Sequence, residues 1–308
     1  MAPILSVNEL AWKIGIPIAR LRQIGKSVHK HYRVFPKWIA KDKVRTFRVP
    51  DDELMDIQRR IVQRVLNPIG FGDEVHGGIR GRSAATNAAV HRSQNCVVNL
   101  DVKSFFDKVR HEAVYRMFRH DLGFGRDVAS LLTRLTTFRS LLPQGAPTSP
   151  AVANLVLAMP VDAPLASLVQ DLEVKYTRFV DDLTFSGKDP RRVINVVARL
   201  LSRRRLQMYR KKSGRKSKLR ITPRSRPQEV TGLLVNASRT SVPRKRRDSI
   251  RAAIFGLRSL MGEAHIRAEV RSIHGRIAHV GRFNPGEALR LKRYLSSTLG
   301  EHAGSSTF

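Results

Sequence analysis

Two adjacent carboxylates, Asp181 and Asp182, stand between two short apolar runs of the chain. The segment Tyr176–Arg178, which precedes Phe179 and Val180, has strand character, and a second apolar run, Leu183–Phe185, follows the two carboxylates. This pattern predicts a β-hairpin with both carboxylates at its turn. A third carboxylate, Asp101, ends another apolar run 80 residues upstream. Because burying an unpaired carboxylate is costly, such strand ends are poor places for Asp unless the side chains bind something.

Carboxylates that converge on one site favour divalent cations. Two Mg²⁺ ions about 4 Å apart can activate an attacking hydroxyl and stabilise a departing oxygen in phosphoryl transfer. The alternative is that Asp181 and Asp182 form an ordinary acidic turn, since Asp is common in turns. The residues alone leave both interpretations open.

The charge of the chain narrows the class of partner. It has 57 Lys and Arg against 25 Asp and Glu, which gives a formal net charge of +32. Such an excess destabilises a compact protein by self-repulsion, so it favours a polyanionic partner whose phosphates neutralise it. A merely solvated basic surface is the alternative. Between Arg203 and Arg226 lie 12 Lys and Arg and no acid, which predicts an exposed, phosphate-binding loop or a disordered basic linker.

Other features of composition bear on location. No stretch approaches the roughly 18 apolar residues of a membrane span, and the N-terminus lacks the pattern of a signal peptide. Cys96 is the single cysteine, which excludes an intrachain disulfide and a cysteine-based zinc site. We therefore expect a cytoplasmic protein without a membrane partner.

The apolar pattern predicts three regions. Residues 1–30 form an N-terminal helical segment that begins at a cap, Ser6, with Glu9 three residues on. Strands are predicted at Tyr32–Phe35 and Val44–Val49. Behind a boundary near residue 236 the pattern is helical, and the predicted helices are 244–261, 263–280 and 285–299.

Five short motifs follow one another along the chain: Asn87–His91, Asp101–Asp107, Leu142–Pro150, Tyr176–Thr184 and Val230–Gly232. In this order they resemble motifs of bacterial retron-type reverse transcriptases, and the resemblance covers about residues 32–255. One departure is Phe179, which stands where a Tyr is usual in the family. It removes a hydroxyl and keeps the ring.

The resemblance implies an α+β fold of the right-hand polymerase type. Residues 31–236 would form the fingers and the palm, with an antiparallel palm sheet that places Asp101 and the Asp181–Asp182 hairpin on adjacent strands. Residues 237–308 would form an all-helical, RNA-binding thumb. The cationic run Arg244–Arg247 is the expected place of thumb contacts with RNA.

The resemblance also implies roles for individual residues. Two Mg²⁺ ions would be held by Asp101, Asp181 and Asp182, with the backbone carbonyl of Val102 as a further ligand. Phe106 stands five residues after Asp101, where the family keeps an aromatic that excludes the 2′-OH of ribonucleotides. Plain core packing is the alternative for Phe106.

Three further residues would bind the incoming dNTP. Gln144 would position the nucleotide or the template, although a Gln that merely solvates a turn is the alternative. Arg45 lies in a predicted hairpin and would grip the phosphates. Lys218 stands 12 residues before Val230, where relatives have a Lys-Thr pair, but Leu219 replaces that Thr here.

The implied activity is synthesis of DNA on a cognate structured non-coding RNA, starting from an internal 2′-OH and giving a branched RNA–DNA molecule. The family context is anti-phage defence with an effector protein. The alternatives are another prokaryotic reverse transcriptase of the abortive-infection or intron type, an RNA-templated RNA polymerase, and an RNA-binding scaffold that restrains an effector.

Overall fold

A computed structural model describes residues 2–40, 43–209, 219–260 and 262–305. Helices α1 to α13 are, in chain order, Val7–Ile14, Ile18–Ser27, Asp52–Ile61, Ala84–Val90, Phe105–Lys108, His111–Arg116, Arg126–Thr136, Ser149–Leu157, Ala163–Asp171, Ile194–Arg203, Arg244–Gly256, Glu263–Gly281 and Pro285–Ser305. Strands β1 to β8 are Tyr32–Ala40, Lys43–Pro50, Cys96–Asp101, Lys175–Phe179, Asp182–Gly187, Arg220–Pro223, Glu229–Val230 and Leu233–Leu234. Helices α3, α6 and α8 continue into π-helical turns at Val62–Leu66, Met117–Asp121 and Ala158–Asp162.

The chain divides into two compact units. Unit 1 comprises Met1–Ser83 and Cys96–Ile221, and unit 2 comprises Ala84–Asn95 and Thr222–Phe308. The predicted boundaries at residues 30 and 236 stay predictions.

The N-terminal helices of unit 1 form as the sequence predicts. The Ser6 hydroxyl accepts a hydrogen bond from the Glu9 N–H at 3.1 Å, and the Glu9 carboxylate accepts one from the Leu5 N–H at 3.0 Å. The Ser6 bond is the N-cap half of a capping box and satisfies a donor that a helix start leaves unpaired, whereas Glu9 accepts from Leu5 and not from the Ser6 N–H of the standard motif. Apolar residues at helical spacing then turn inward, and Leu10, Ile14 and Leu21 are fully buried.

Two β-sheets follow along the chain. Strands β1 and β2 form a hairpin, longer than the predicted strands, whose register pairs Tyr32 with Pro50 and Trp38 with Val44. The second is a four-stranded sheet with the order β4–β5–β3–β6. Its central strands are buried because Val98, Leu183 and Phe185 pack into the main apolar core. The predicted antiparallel pairing of the Asp101 strand with the hairpin is confirmed.

The segment Ser149–Asp171 is long and apolar enough, by length and composition alone, to cross a membrane. The prediction that no stretch comes close to this condition is therefore wrong. However, 56% of its most apolar window is buried inside the protein, as expected of a core helix. It supplies Val152, Leu157 and Val161 to the core of unit 1.

Unit 2 is built on helices and one short hairpin. Strand β7 pairs with β8, and the Thr231 hydroxyl donates a hydrogen bond to the Ala84 carbonyl at the start of α4, at 2.8 Å. The three C-terminal helices bury Ile250, Ile254, Ile273 and Ile277. The predicted helical pattern after residue 236 is confirmed, with the last helix running on to Ser305.

Candidate active site

The hairpin of β4 and β5 holds two of the predicted carboxylates at its tip. Phe179 pairs with Asp182, so Val180 and Asp181 form a two-residue turn. Val180 has a φ of 59°, in the left-handed region. For a β-branched residue this conformation is an outlier, which surrounding contacts must maintain.

The third carboxylate lies on the neighbouring strand. Asp101 at the end of β3 pairs directly with Asp182 on β5. Just beyond it, the Val102 N–H donates to the Asp181 carbonyl at 3.0 Å, while the Asp101 carbonyl accepts from the Tyr209 N–H at 2.8 Å. Asp101 is only 8% exposed, Asp181 is half-buried and Asp182 is exposed. Backbone hydrogen bonds therefore fix the strand ends that carry the carboxylates.

A cavity of about 680 Å³ opens in front of these strand ends. Of the predicted site residues, its wall contains Arg45, Asp101, Val102, Phe106, Gln144 and Asp181. Asp182 is the direct cross-strand partner of Asp101, but it is not one of the residues that line the cavity. Lys218 lies outside the described residues.

The floor of the cavity includes a pair of aromatic rings. Ser104 takes a left-handed φ of 49°, and helix α5 then begins with Phe105 and Phe106. The two ring centroids are 5.7 Å apart in an edge-to-face arrangement. Phe105 is buried in the core, whereas Phe106 is half-buried. Of the two rings, Phe106 therefore offers the larger surface to a ligand.

The polar wall is built from β2 and the turn before α8. The Arg48 N–H donates to the Gln144 carbonyl at 2.7 Å, which ties this turn to the hairpin. Gly145 takes a φ of 115°, and a Cβ there would lie 3.2 Å from the Arg48 carbonyl oxygen. Arg45 and Arg48 thus bring cationic groups to the same cavity as Asp101 and Asp181. Such a cavity suits a ligand that carries both phosphate and metal ions.

The comparisons with known proteins agree with this arrangement. The family model described as "Reverse transcriptase (RNA-dependent DNA polymerase)" matches residues 28–226. The retron Mx65 reverse transcriptase of Myxococcus xanthus is 33% identical, over 93% of this chain and 70% of that protein. This chain belongs to the retron-type reverse transcriptases. The retron Ec86 reverse transcriptase of Escherichia coli is 26% identical, over 94% of this chain and 88% of its own length. The retron Se72 reverse transcriptase of Salmonella heidelberg is 27% identical, over 96% and 80%.

The protein is therefore an RNA-dependent DNA polymerase, an activity that uses divalent metal ions. Within the described ranges, no group of three or more His, Cys, Asp or Glu side chains is close enough together to hold a metal ion. Asp101 and Asp181 nevertheless share the cavity. Mg²⁺ is usually held by one or two carboxylates and completes its shell with substrate phosphates and water. Moreover, Asp101 and Asp182 are directly opposed on neighbouring strands, an arrangement of like charges that a bound cation stabilises. The carboxylates of Asp101 and Asp181 in this reverse transcriptase therefore fit divalent ions that complete their shell with substrate phosphates and water.

Some residues that line the cavity of this reverse transcriptase were not predicted from its sequence. Arg48, Asp107 and Tyr209 also line the cavity. Asp107 lies inside the motif that begins at Asp101, and Arg48 lies three residues after Arg45, so both had a local signal. Tyr209 had none, because the backbone pairing of Val102 with Met208 brings it to the site.

Proposed function

We propose that this reverse transcriptase copies part of a cognate structured non-coding RNA into DNA, starting from an internal 2′-OH, and so produces a branched RNA–DNA molecule. The observation that carries the catalytic part is the single cavity that contains Asp101, Asp181, Phe106, Gln144 and Arg45. The retron part is supported by the similarity to retron enzymes over more than nine-tenths of the chain.

Asp101 and Asp181 are the proposed main ligands of two Mg²⁺ ions, with Asp182 in support and the Val102 carbonyl as a further ligand. When bound, the ions would make the attacking hydroxyl more acidic and stabilise the departing pyrophosphate. The contribution of the chain is to hold these oxygens on paired strand ends. The hydrogen bond from Val102 to the Asp181 carbonyl supports this, because it couples the two strands at the point where the carboxylates stand.

The remaining cavity residues would bind the deoxynucleotide. The ring of Phe106 would lie against the sugar and exclude a 2′-OH. Arg45 would neutralise the triphosphate, since charge that develops on the leaving group needs cations. Gln144, fixed through its carbonyl to β2, would position the nucleotide or the template with its amide. Lys218 is proposed from sequence spacing alone.

At the level of the whole chain we propose a right-hand polymerase. Residues 1–30 would be an N-terminal helical segment, 31–236 the fingers and palm, and 237–308 a thumb that contacts the RNA. Exposed Arg244 and Lys245 at the start of α11 support the thumb assignment. The protein would act in the cytoplasm, in anti-phage defence, together with an effector protein.

The test is to purify the protein from its native locus and sequence the nucleic acid that co-purifies. We expect a short DNA that is released only when the RNA is digested and the branch is opened by a debranching enzyme. RNA without covalently attached DNA would contradict the proposal and favour a scaffold or a different class of reverse transcriptase. Linear DNA without a branch would contradict the proposed priming.

A further inference from the structure

A fully buried ion pair lies behind the Asp181 turn, in unit 1. The Arg178 guanidinium meets the Asp162 carboxylate with two parallel hydrogen bonds, from Nε to Oδ1 at 2.8 Å and from Nη2 to Oδ2 at 2.5 Å. Both side chains are almost completely inaccessible, at 0% and 1% exposure. The Tyr176 hydroxyl donates a third hydrogen bond to Asp162 Oδ1 at 2.7 Å.

The same guanidinium continues into the turn that carries Asp181. Its Nη1 donates to the Val180 carbonyl at 2.8 Å and to Asn154 Oδ1 at 2.9 Å. Its Nη2 donates to the Asn154 carbonyl at 3.2 Å. Val180, the residue directly before Asp181, is thus held from the interior by Arg178.

A second support meets Val180 from the loop at Gly77. The Asn154 amide donates to the Gly77 carbonyl at 2.7 Å, and the His76 N–H donates to the Arg178 carbonyl at 2.8 Å. The loop lies so close that a Cβ on Gly77 would stand 2.5 Å from the Val180 nitrogen. Backbone atoms cannot move aside as a flexible side-chain end can, so only glycine fits there.

These contacts explain how a valine stays in a left-handed conformation. Strained backbone of this kind persists only where the surroundings over-determine it. A buried ion pair is itself a poor stability device, because desolvation of both charges offsets most of their attraction. The Arg178–Asp162 pair is therefore better explained by the geometry that it imposes than by the stability that it adds.

We propose that Arg178 is a positioning residue, which holds Val180 in its left-handed conformation through Asp162 and Asn154 and so aims the Asp181 carboxylate into the cavity. Gly77 packs against the Val180 nitrogen, and we refer to Arg178, Asn154, Asp162 and Gly77 together as the clamp. This inference rests on the proposed function, in which Asp181 is a ligand of Mg²⁺. Residues that orient metal ligands typically change metal affinity by 10- to 100-fold when they are replaced.

Two variants test the clamp independently, one at Arg178 and one at Gly77. Arg178→Lys keeps the positive charge beside Asp162 but lacks the planar fork that reaches Val180. Gly77→Ala leaves both members of the ion pair in place and introduces a Cβ that must displace the Val180 backbone. We expect each to weaken Mn²⁺ binding by the RNA-free protein about 10-fold or more, measured by electron paramagnetic resonance. The Mg²⁺ concentration for half-maximal DNA synthesis should rise in parallel, while the KM for RNA stays unchanged.

Two control variants separate positioning from general destabilisation. Tyr176→Phe removes one hydrogen bond to Asp162 without touching Val180, and its Mn²⁺ affinity should equal that of the wild type. Gln58→Ala removes a buried amide that donates to the Tyr32 hydroxyl and the Leu135 carbonyl elsewhere in unit 1. It should lower thermal stability and leave Mn²⁺ affinity unchanged.

The outcomes distinguish this inference from the proposed function. Wild-type Mn²⁺ affinity in both Arg178→Lys and Gly77→Ala would overturn the clamp, as would an equal loss of affinity in Gln58→Ala. If Arg178→Lys fails to fold, Gly77→Ala alone decides. If the Asp181→Asn variant binds Mn²⁺ with the same affinity as the wild type, that result would instead contradict the proposed metal site.

Discussion

At the scale of single residues, the proposed exclusion of a 2′-OH by Phe106 gives the sharpest test of specificity. The Phe106 ring is half-buried and lines the same cavity as Asp101, and in the proposed function it lies against the sugar of the nucleotide. Replacing it by Ala should remove the steric exclusion of a 2′-OH. We expect the ratio of ribonucleotide to deoxynucleotide incorporation to rise at least about 10-fold, measured with single-nucleotide extension on one RNA template.

The neighbouring ring provides a matched control. Phe105 touches the same cavity but is only 2% exposed, so its volume belongs mainly to the core. Phe105→Leu should lower the free energy of unfolding by about 1 kcal/mol and leave sugar selectivity unchanged. Unchanged selectivity in Phe106→Ala, or an equal change in Phe105→Leu, would contradict the proposed role of Phe106.

Candidate site residues could be selected from the sequence where a local motif carried the signal, and their roles stay predictions. Asp101, Asp181, Phe106 and Gln144 each lie in a short run with a recognisable order, and the structure brings them to one cavity. The Arg178–Asp162 pair gave a weaker signal, a lone acid within an apolar helix. Its partner cannot be chosen from the sequence, because the pairing depends on how that helix packs behind the hairpin.

At the scale of secondary-structure elements, the cap of α1 is directly testable. The Ser6 hydroxyl accepts from the Glu9 N–H, and Ser6→Ala removes this acceptor. We expect the free energy of unfolding to fall by about 1 kcal/mol, measured by urea denaturation. Ser6→Asp keeps an acceptor at the same position and should retain most of the stability. Equal losses in the two variants would show that the cap is not the cause.

The start of α6 predicts a dependence of stability on pH. Burial lowers the pKa of His111 below its ordinary value of 6.5, and the positive charge of Arg134 lowers it further. The unfolded chain therefore takes up this proton more readily than the folded protein. The contribution of His111 to stability is complete above pH 6.5 and is lost as the pH falls through 6.5 toward the folded pKa.

His111→Asn isolates this effect, because an amide can still bond to the Thr137 hydroxyl, which lies 2.9 Å from His111 Nδ1. The urea midpoint should fall less between about pH 7.5 and 5.5 in the variant than in the wild type. Identical slopes in both proteins would exclude His111 as the titrating group.

Elements were predicted best where periodicity and capping signals coincide. The N-cap at Ser6, the β1–β2 hairpin and the C-terminal helices all follow from such signals. The segment Ser149–Asp171 is more apolar than the sequence analysis predicted. A single carboxylate, Asp162, interrupts the apolar residues on either side of it. The π-helical turns were not predicted, since each continues an α-helix and the apolar pattern of the sequence stays helical through it.

At the scale of the whole molecule, net charge should govern RNA binding. With a formal charge of +32, the protein should form many phosphate contacts and release their counterions. For six to ten contacts, we expect RNA affinity to fall about 10³- to 10⁵-fold between roughly 50 and 200 mM salt. Replacing Arg244 and Lys245 by Gln should lower the slope of log affinity against log salt by about one each. An unchanged slope would show that Arg244 and Lys245 at the start of α11 do not contact RNA phosphates.

The central claim is that carboxylates on paired strand ends catalyse DNA synthesis on RNA. The most direct measurement compares the wild type with a variant carrying both Asp181→Ala and Asp182→Ala, for DNA synthesis and for RNA affinity in the same preparation. We expect the variant to lose DNA synthesis entirely while its RNA affinity stays within severalfold of the wild type. DNA synthesis at a near wild-type rate in that variant would contradict it.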